Sequence, residues 1–208
     1  MNTRKDMVVL VADKNMEFAV RGILSRPKAI GLRNILYDIF VHPERDPGCL
    51  NRGSDFLRAF SKSHAHALIL FDRDGCGRET EELKVLEEEV EKSIAGFGWK
   101  GYAAVVIAPE LENWVWSDSP HVDEVLGWAE RQPALRRWLC DHGHWPDQVP
   151  KPFAPKEALE AAIREVGMPR TSAMYHDLAI RVSFERCKDR AFIKLKDVLK
   201  TWFGQRTT

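Results

Sequence analysis

Residues 66–77 read HALILFDRDGCG, an apolar run that ends directly in a turn of acidic and glycine residues. The run His66–Phe71 has the length and composition of a strand that is buried on both faces of a sheet. Asp72 and Asp74 follow it at once, and the two glycines after them allow the backbone to turn sharply. This stretch predicts a buried strand with carboxylates at its carboxyl end.

Three further apolar runs have the same character, namely Met7–Ala12, Ile35–Val41 and Tyr102–Ile107. Segments with helical spacing separate the four strands: Asn15–Leu24, a short helix Asp55–Ser63 capped by Ser54, and a long acidic helix Glu79–Ala95. Strands that alternate with helices predict an α/β fold with a four-stranded, mainly parallel, doubly wound sheet and right-handed crossovers.

After Pro109 the apolar runs of strand type disappear, and the spacing becomes helical. Helices are predicted at Leu111–Trp116, Val122–Ala129, Ala134–Cys140, Pro155–Gly167, Ser172–Ser183 and Ala191–Phe203. We therefore expect an α/β domain over residues 1–118 and a helical C-terminal extension over residues 119–208 that packs on it.

The composition restricts the function without defining it. The 208 residues are enough for one hydrophobic core, and Lys+Arg and Asp+Glu balance at 31 each, so any attraction for nucleic acid must come from a local patch. No apolar segment is long enough to span a membrane, and the first apolar run is too short for a signal peptide. Four scattered cysteines without CxxC spacing favour free thiols and a cytoplasmic location.

The acidic residues follow two strands that should be neighbours. In a sheet of order 2-1-3-4, Asp13 follows strand one and Asp72 and Asp74 follow strand three, at the edge where open parallel sheets bind ligands. Residues two apart in an extended chain point the same way. Three crowded carboxylates resist ionisation unless a hard cation is present. The sequence therefore predicts a site for Mg²⁺, or Mn²⁺, at Asp13, Asp72 and Asp74.

The motif DRDGCG resembles the DxDxxG motif of the toprim family, which occurs in topoisomerases, bacterial primases and OLD-type nucleases. Asp72, Asp74 and Gly77 match that motif. The resemblance implies that these acids hold Mg²⁺ and that the acid after strand one is a general acid/base. The first motif departs from the family pattern, since VADKNME has Asp13 where the family has Glu. Glu17, one helical turn later, is either a partner of Asp13 or a first-turn acid favoured by the helix dipole.

The chain is more closely similar to a group of uncharacterised bacterial toprim-like proteins, some linked to phage-defence gene clusters. The similarity rests on APELENWVWSD after strand four and on the helical tail with SAMYHDLAIRVSF. It implies a metal-dependent nuclease or phosphotransferase that acts on DNA or RNA phosphodiesters. The alternative is a catalytically inactive subunit that binds other defence proteins. It also implies that Glu112 and Trp114 form one wall of the site, whereas their spacing alone favours an exposed acid and a core residue.

Other groups of residues give weaker predictions. Cys140, His142 and His144 offer three zinc ligands in five residues, but a structural zinc site needs four, so a polar helix end is favoured. A receiver-like phosphatase domain is disfavoured, because no Lys follows strand four. Basic residues of the tail could form a phosphate-binding edge, and these are Lys151, Lys156, Arg164 and Arg170.

Overall fold

The computed structural model describes residues 4–185 and 187–205. Its four strands form one parallel sheet in the order β2-β1-β3-β4. The strands are β1 (Lys5–Val11), β2 (Tyr37–Val41), β3 (His64–Asp72) and β4 (Gly101–Ile107). The predicted α/β class and parallel sheet are thus confirmed, and β1 and β3 are neighbours as the site prediction requires.

Helices cover the sheet and form the rest of the chain. They are α1 (Lys14–Leu24), α2 (Arg45–Arg58), α3 (Leu83–Ile94), α4 (Pro120–Val125), α5 (Leu135–Asp141), α6 (Pro155–Glu165), α7 (Ser172–Arg181) and α8 (Arg190–Phe203), with short 3-10 turns at Pro27–Ile30, Ala95–Phe97 and Leu111–Trp114. Helices α2 and α3 pack together over one side of the sheet, and right-handed crossovers place α1 on the other. None of the helices in the described ranges is long and apolar enough to cross a membrane.

Helix α2 begins ten residues earlier than predicted. We expected a helix over Asp55–Ser63 with Ser54 as its cap, but the helix runs over Arg45–Arg58 and contains Ser54 in its interior. The segment before Ser54 resembled a loop because it holds Pro47 and two glycines. Proline is tolerated in a first turn, where backbone N–H groups have no partner within the helix.

The two glycines of α2 have a packing role instead of a turn role. A Cβ on Gly48 would lie 2.0 Å from Nδ1 of His42, and a Cβ on Gly53 would lie 2.7 Å from Cδ1 of Ile69. The absence of these side chains lets α2 approach the sheet closely. Tertiary packing therefore outweighs the low helix propensity of glycine here.

The C-terminal helices continue the core of the sheet domain. Helix α7 packs on α1, α8 packs on β4, and an antiparallel bridge joins Leu32 to Gly204. A single cluster of buried apolar side chains contains residues from both sides of position 118. Helices α7 and α8 thus pack against the α/β part of the chain, and one apolar cluster contains residues from both parts.

The free edge of β4 is covered by carboxylates. Glu87 accepts a hydrogen bond from the N–H of Val106 at 3.1 Å, and Glu91 accepts one from Ala104 at 3.0 Å. Lys194 of α8 contacts both carboxylates, at 3.1 Å and 3.0 Å. Helices α3 and α8 thus satisfy backbone donors that an edge strand otherwise exposes.

Candidate functional site

Asp72 is the last residue of β3 and the centre of an acidic cluster at the carboxyl edge of the sheet. The residue is partly buried, but its Oδ1 atom is shielded from solvent and has no hydrogen-bond partner among the described residues. Burial, together with the negative charges of Asp46, Glu112 and Asp13, raises the pKa of Asp72 well above its usual range, although a backbone hydrogen bond from Leu111 to the carboxyl opposes the rise. A shielded carboxylate oxygen without a donor is costly unless a proton or a cation occupies it.

Asp13 joins this cluster from β1, as the sequence predicts. It is the N-cap of α1, and its Oδ1 accepts a hydrogen bond from the N–H of Met16 at 2.8 Å. Its charge contributes to the raised pKa values of both Asp72 and Asp46. The cap thus fixes the Asp13 carboxylate at the carboxyl edge, near the shielded acid of β3.

Asp46 is a member of the cluster that the sequence reasoning missed. Its Oδ1 accepts a hydrogen bond from the backbone N–H of Asp72 at 2.8 Å, which holds the end of β3 against the start of α2. Burial raises the pKa of Asp46. Backbone hydrogen bonds oppose this rise, and the negative charge of Asp13 adds to it. Its position shortly after β2, at the same sheet edge, was the available signal.

Glu17 and Asp74 have other neighbours. Glu17 is buried, and it pairs with Lys14 at 2.6 Å and with Arg21 at 2.8 Å. Burial acts to raise its pKa, but these hydrogen bonds outweigh it, so the pKa of Glu17 is lowered. Asp74 lies in the turn after β3, with half of its side chain exposed and its carboxylate 3.5 Å from Nε of Arg73. Neither acid makes a side-chain hydrogen bond to Asp72 or Asp13.

The glycine turn after Asp74 is held by an acid from the segment before α3. Gly75 and Gly77 have φ values of 91° and 88°, a region that disfavours other residues. Glu79 accepts hydrogen bonds from both of their N–H groups, at 3.2 Å and 3.0 Å. The predicted helix over Glu79–Ala95 therefore begins only at Leu83, because Glu79 binds the N–H groups of the preceding turn instead of starting the helix.

Glu112 is buried, so the expectation of an exposed acid was wrong. Its carboxylate accepts hydrogen bonds from Arg170 and from the hydroxyl of Tyr175, and Arg170 also pairs with Glu160 at 3.0 Å. The negative charge of Glu112 also raises the pKa of Asp72, so Glu112 lies near the acidic cluster. Trp114 is partly buried against the core, and its Nε1 donates to Asp189 at 2.9 Å.

Glu110 lies beside this ion pair and has a strongly altered acidity. Burial and the charge of Glu112 raise its pKa to about 7, although Lys156 opposes the rise. Its Oε1 accepts a hydrogen bond from the backbone N–H of Lys156 at 3.1 Å. Near neutral pH, Glu110 therefore changes its charge at the border of the acidic cluster.

A cleft of about 470 Å³ opens at the same edge, between the ends of β1 and β2 and the helical extension. We call it the cation cleft, because its ionisable lining residues are mostly basic: Asp13, Lys14, His42, Arg45, Lys156 and Arg170. Two of the four residues of the predicted basic edge, Lys156 and Arg170, line it. Lys151 is instead tied to the carbonyl of Asn113 at 2.5 Å. The cleft shares Asp13 with the acidic cluster.

The residues present fit a divalent cation in their donor chemistry. Within residues 4–185 and 187–205, no three His, Cys, Asp or Glu side chains lie in positions from which they could together hold a metal ion. The same holds for the zinc candidates, where His142 stacks on Trp138 with ring centroids 4.1 Å apart. Oxygen ligands with mutual repulsion and one shielded, unpartnered oxygen nevertheless suit a hard cation around Asp72.

Comparison of the chain with family models, with curated proteins and with solved structures gave no match. The fold and the site geometry are therefore the basis on which a function can be argued.

Proposed function

We propose that the chain is a Mg²⁺- or Mn²⁺-dependent, toprim-like nuclease or phosphotransferase that acts on nucleic-acid phosphodiesters. The observation that carries this proposal is the Asp72 carboxyl, whose shielded Oδ1 has no partner in the described residues while three other acids surround it. A buried acid with a raised pKa, at the ligand-binding edge of a parallel sheet, is characteristic of a functional site.

The acids serve two tasks in the proposed reaction, which are holding the cation and moving a proton. Asp72, Asp13 and the structurally identified Asp46 would hold the cation, and the exposed Asp74 remains a predicted further ligand. The bound cation supplies charge stabilisation at a phosphoryl oxygen. Asp13 lines the cation cleft and would also serve as the general acid/base, while the ion pairs of Glu17 keep that second acid charged.

Titration calorimetry with Mg²⁺ and Mn²⁺ tests the metal site directly. We expect wild type to bind, Asp72→Asn to lose binding, and Asp55→Asn, an equal change at an exposed position of α2, to bind normally. Cleavage of labelled DNA and RNA by the same samples should depend on the same acid. Absence of metal binding in wild type would rule out the proposed site.

A pair of variants decides which further acid is a ligand. If the structural cluster holds the cation, Asp46→Asn weakens metal binding by roughly tenfold or more, since a ligand charge is lost although the hydrogen bond to Asp72 can persist. If instead the cation is held by the two acids of the DxDxxG motif, Asp74→Asn weakens metal binding more than Asp46→Asn does. Equal, unchanged affinity in both variants would leave Asp72 and Asp13 as the sole acidic ligands.

The second candidate is a catalytically inactive subunit of a larger assembly. It is favoured because two of the predicted catalytic acids already have structural partners: Glu17 is held in two ion pairs, and Asp13 caps a helix. Asp13→Glu, which restores the reach of the family acid, should preserve or raise cleavage in an enzyme. Metal binding without cleavage in both proteins would support the inactive subunit. A role in antiphage defence belongs to the proposal through the resemblance, and a cytoplasmic location belongs to it through the scattered cysteines without CxxC spacing.

A further inference from the structure

We propose that the cation cleft binds the phosphate group of a nucleotide unit, with Arg45 and Lys156 as its contacting cations. The inference rests on the proposed function for the class of substrate, and it adds the surface that receives the substrate. It depends on the charges, the backbone and the size of the cleft.

The four Lys and Arg side chains of the cleft differ in whether they already pair with a carboxylate. Lys14 is neutralised by Glu17 at 2.6 Å, and Arg170 is neutralised by Glu112 and Glu160. Those two cations therefore have anionic partners already.

Arg45 and Lys156 have no such partner, since neither forms a salt bridge within the described ranges. Among the described residues that line the cleft, Asp13 is the only carboxylate, and it already accepts a helix-capping hydrogen bond. Lys156 also acts on the charge of Glu110, but neither Lys156 nor Arg45 is held in a salt bridge within the described ranges. Two such cations on a concave wall attract an anion, and phosphate is the anion that the neighbouring acidic cluster is proposed to process.

The backbone at Arg45 is held in an uncommon conformation. Its φ of 52° lies in the left-handed region, which is disfavoured for a residue with a side chain. The N–H of Arg45 donates to the carbonyl of His42 at 3.1 Å, and Arg45 is the first residue of the 14-residue helix α2. Strained backbone conformations of this kind are enriched at ligand-binding and active sites. The helix N-terminus adds a partial positive charge in the same place.

His42 adds a neutral donor to the lining of the cleft. Its Nδ1 accepts a hydrogen bond from the N–H of Glu44 at 3.0 Å, so the proton of the neutral ring is on Nε2. Burial lowers the pKa of His42, which keeps the ring neutral at pH 7. A phosphate oxygen is a suitable acceptor for such a donor.

The size and position of the cleft suit one nucleotide unit. About 470 Å³ falls in the range of roughly 300–1,000 Å³ that small-molecule sites occupy. Asp13 lines the cleft and also acts electrostatically on Asp72, so a nucleotide here lies next to the acidic cluster. A strand bound in the cleft would present a neighbouring phosphodiester to those acids.

Fluorescence anisotropy with a short labelled single-stranded oligonucleotide, in EDTA, tests the cleft without the metal. The test variant is Arg45→Gln/Lys156→Gln, which keeps long side chains and removes two positive charges. The control is Lys62→Gln/Lys92→Gln, which also removes two exposed positive charges. These residues lie near the start of β3 and the end of α3, towards the amino ends of the strands and away from the cleft. Circular dichroism should show all three proteins folded.

We expect the test variant to bind roughly tenfold more weakly or worse, because two charged contacts are lost. Its plot of log affinity against log salt should be shallower by about 1.4, since each phosphate contact to a single strand contributes about 0.7. The control should match wild type. Equal losses in both variants, or no binding by wild type, would overturn the inference.

Competition identifies the source of the phosphate. Displacement of the oligonucleotide by adenosine monophosphate at similar concentration supports a free nucleotide, whereas displacement by unlabelled strand alone supports nucleic acid. Both results depend on Arg45 and Lys156 if the inference holds. If wild type binds the oligonucleotide but does not bind Mg²⁺, the metal site is refuted and the phosphate site in the cleft is not. The two proposals can therefore fail separately.

Discussion

Replacement of Glu110 by Gln should change the pH dependence of stability in a defined direction. The folded protein holds a proton on this carboxyl up to about pH 7, whereas the unperturbed pKa is 4.5. Stability associated with this group is therefore present in full below about pH 4.5 and is lost as the pH rises towards 7. Glutamine is neutral at every pH, and its Oε1 can still accept the hydrogen bond from Lys156.

The magnitude follows from the pKa and from exposure. Each pKa unit corresponds to about 1.4 kcal/mol, so the full rise at Glu110 would amount to about 3.4 kcal/mol. The carboxyl is only partly buried, and solvent screening reduces this to about 1–2 kcal/mol. We therefore expect the free energy of unfolding of Glu110→Gln to exceed that of wild type by about that amount at pH 8.

Urea unfolding at pH 5 and pH 8 measures this difference. Asp72 also has a raised pKa, but it is present in both proteins, so its contribution cancels in the comparison. Glu82→Gln, the same chemical change at an exposed position, is the control and should show no pH-dependent gain. A difference between Glu110→Gln and wild type that is the same at both pH values would refute the electrostatic argument.

Substitutions at three further positions test the packing around the site by urea unfolding. Arg170→Ala should cost about 3–5 kcal/mol, because it leaves the buried Glu112 without its cation; Arg170→Lys should recover part of the loss. Tyr175→Phe should cost about 1–3 kcal/mol, because Glu112 loses a hydrogen bond in a buried position, and a neutral result would contradict that bond. Gly48→Ala should cost about 1–3 kcal/mol by displacing His42, and an unchanged midpoint would contradict the close packing of α2.

The strands and their order were predictable because their signals are local. Each strand of this parallel sheet is a nearly continuous apolar run, and alternation with helices leaves few topologies. The same reasoning placed Asp13 and Asp72 at adjacent strand ends, where the structure has them. Asp74, which the same reasoning predicts as a further ligand, lies in the turn after β3, where the alternation of side chains no longer applies.

The missed parts of the site depend on contacts between distant residues. Asp46 was overlooked because a helix with Pro and Gly in its first turns resembles a loop until its packing on the sheet is known. The resemblance placed Glu112 in the wall of the site, but spacing alone put it at the surface, because its partner, Arg170, lies 58 residues later in the chain. Ion pairs of this kind leave no periodic pattern in the sequence.

The covered edge of β4 has a consequence for self-association. Parallel sheets with a bare outer strand can add a strand from another molecule and so seed aggregates. At this edge the N–H groups of Ala104 and Val106 already donate to Glu91 and Glu87, and Lys194 holds both carboxylates in place. An incoming strand would first have to displace two ion-paired acids, so the sheet resists growth into a fibril on this side.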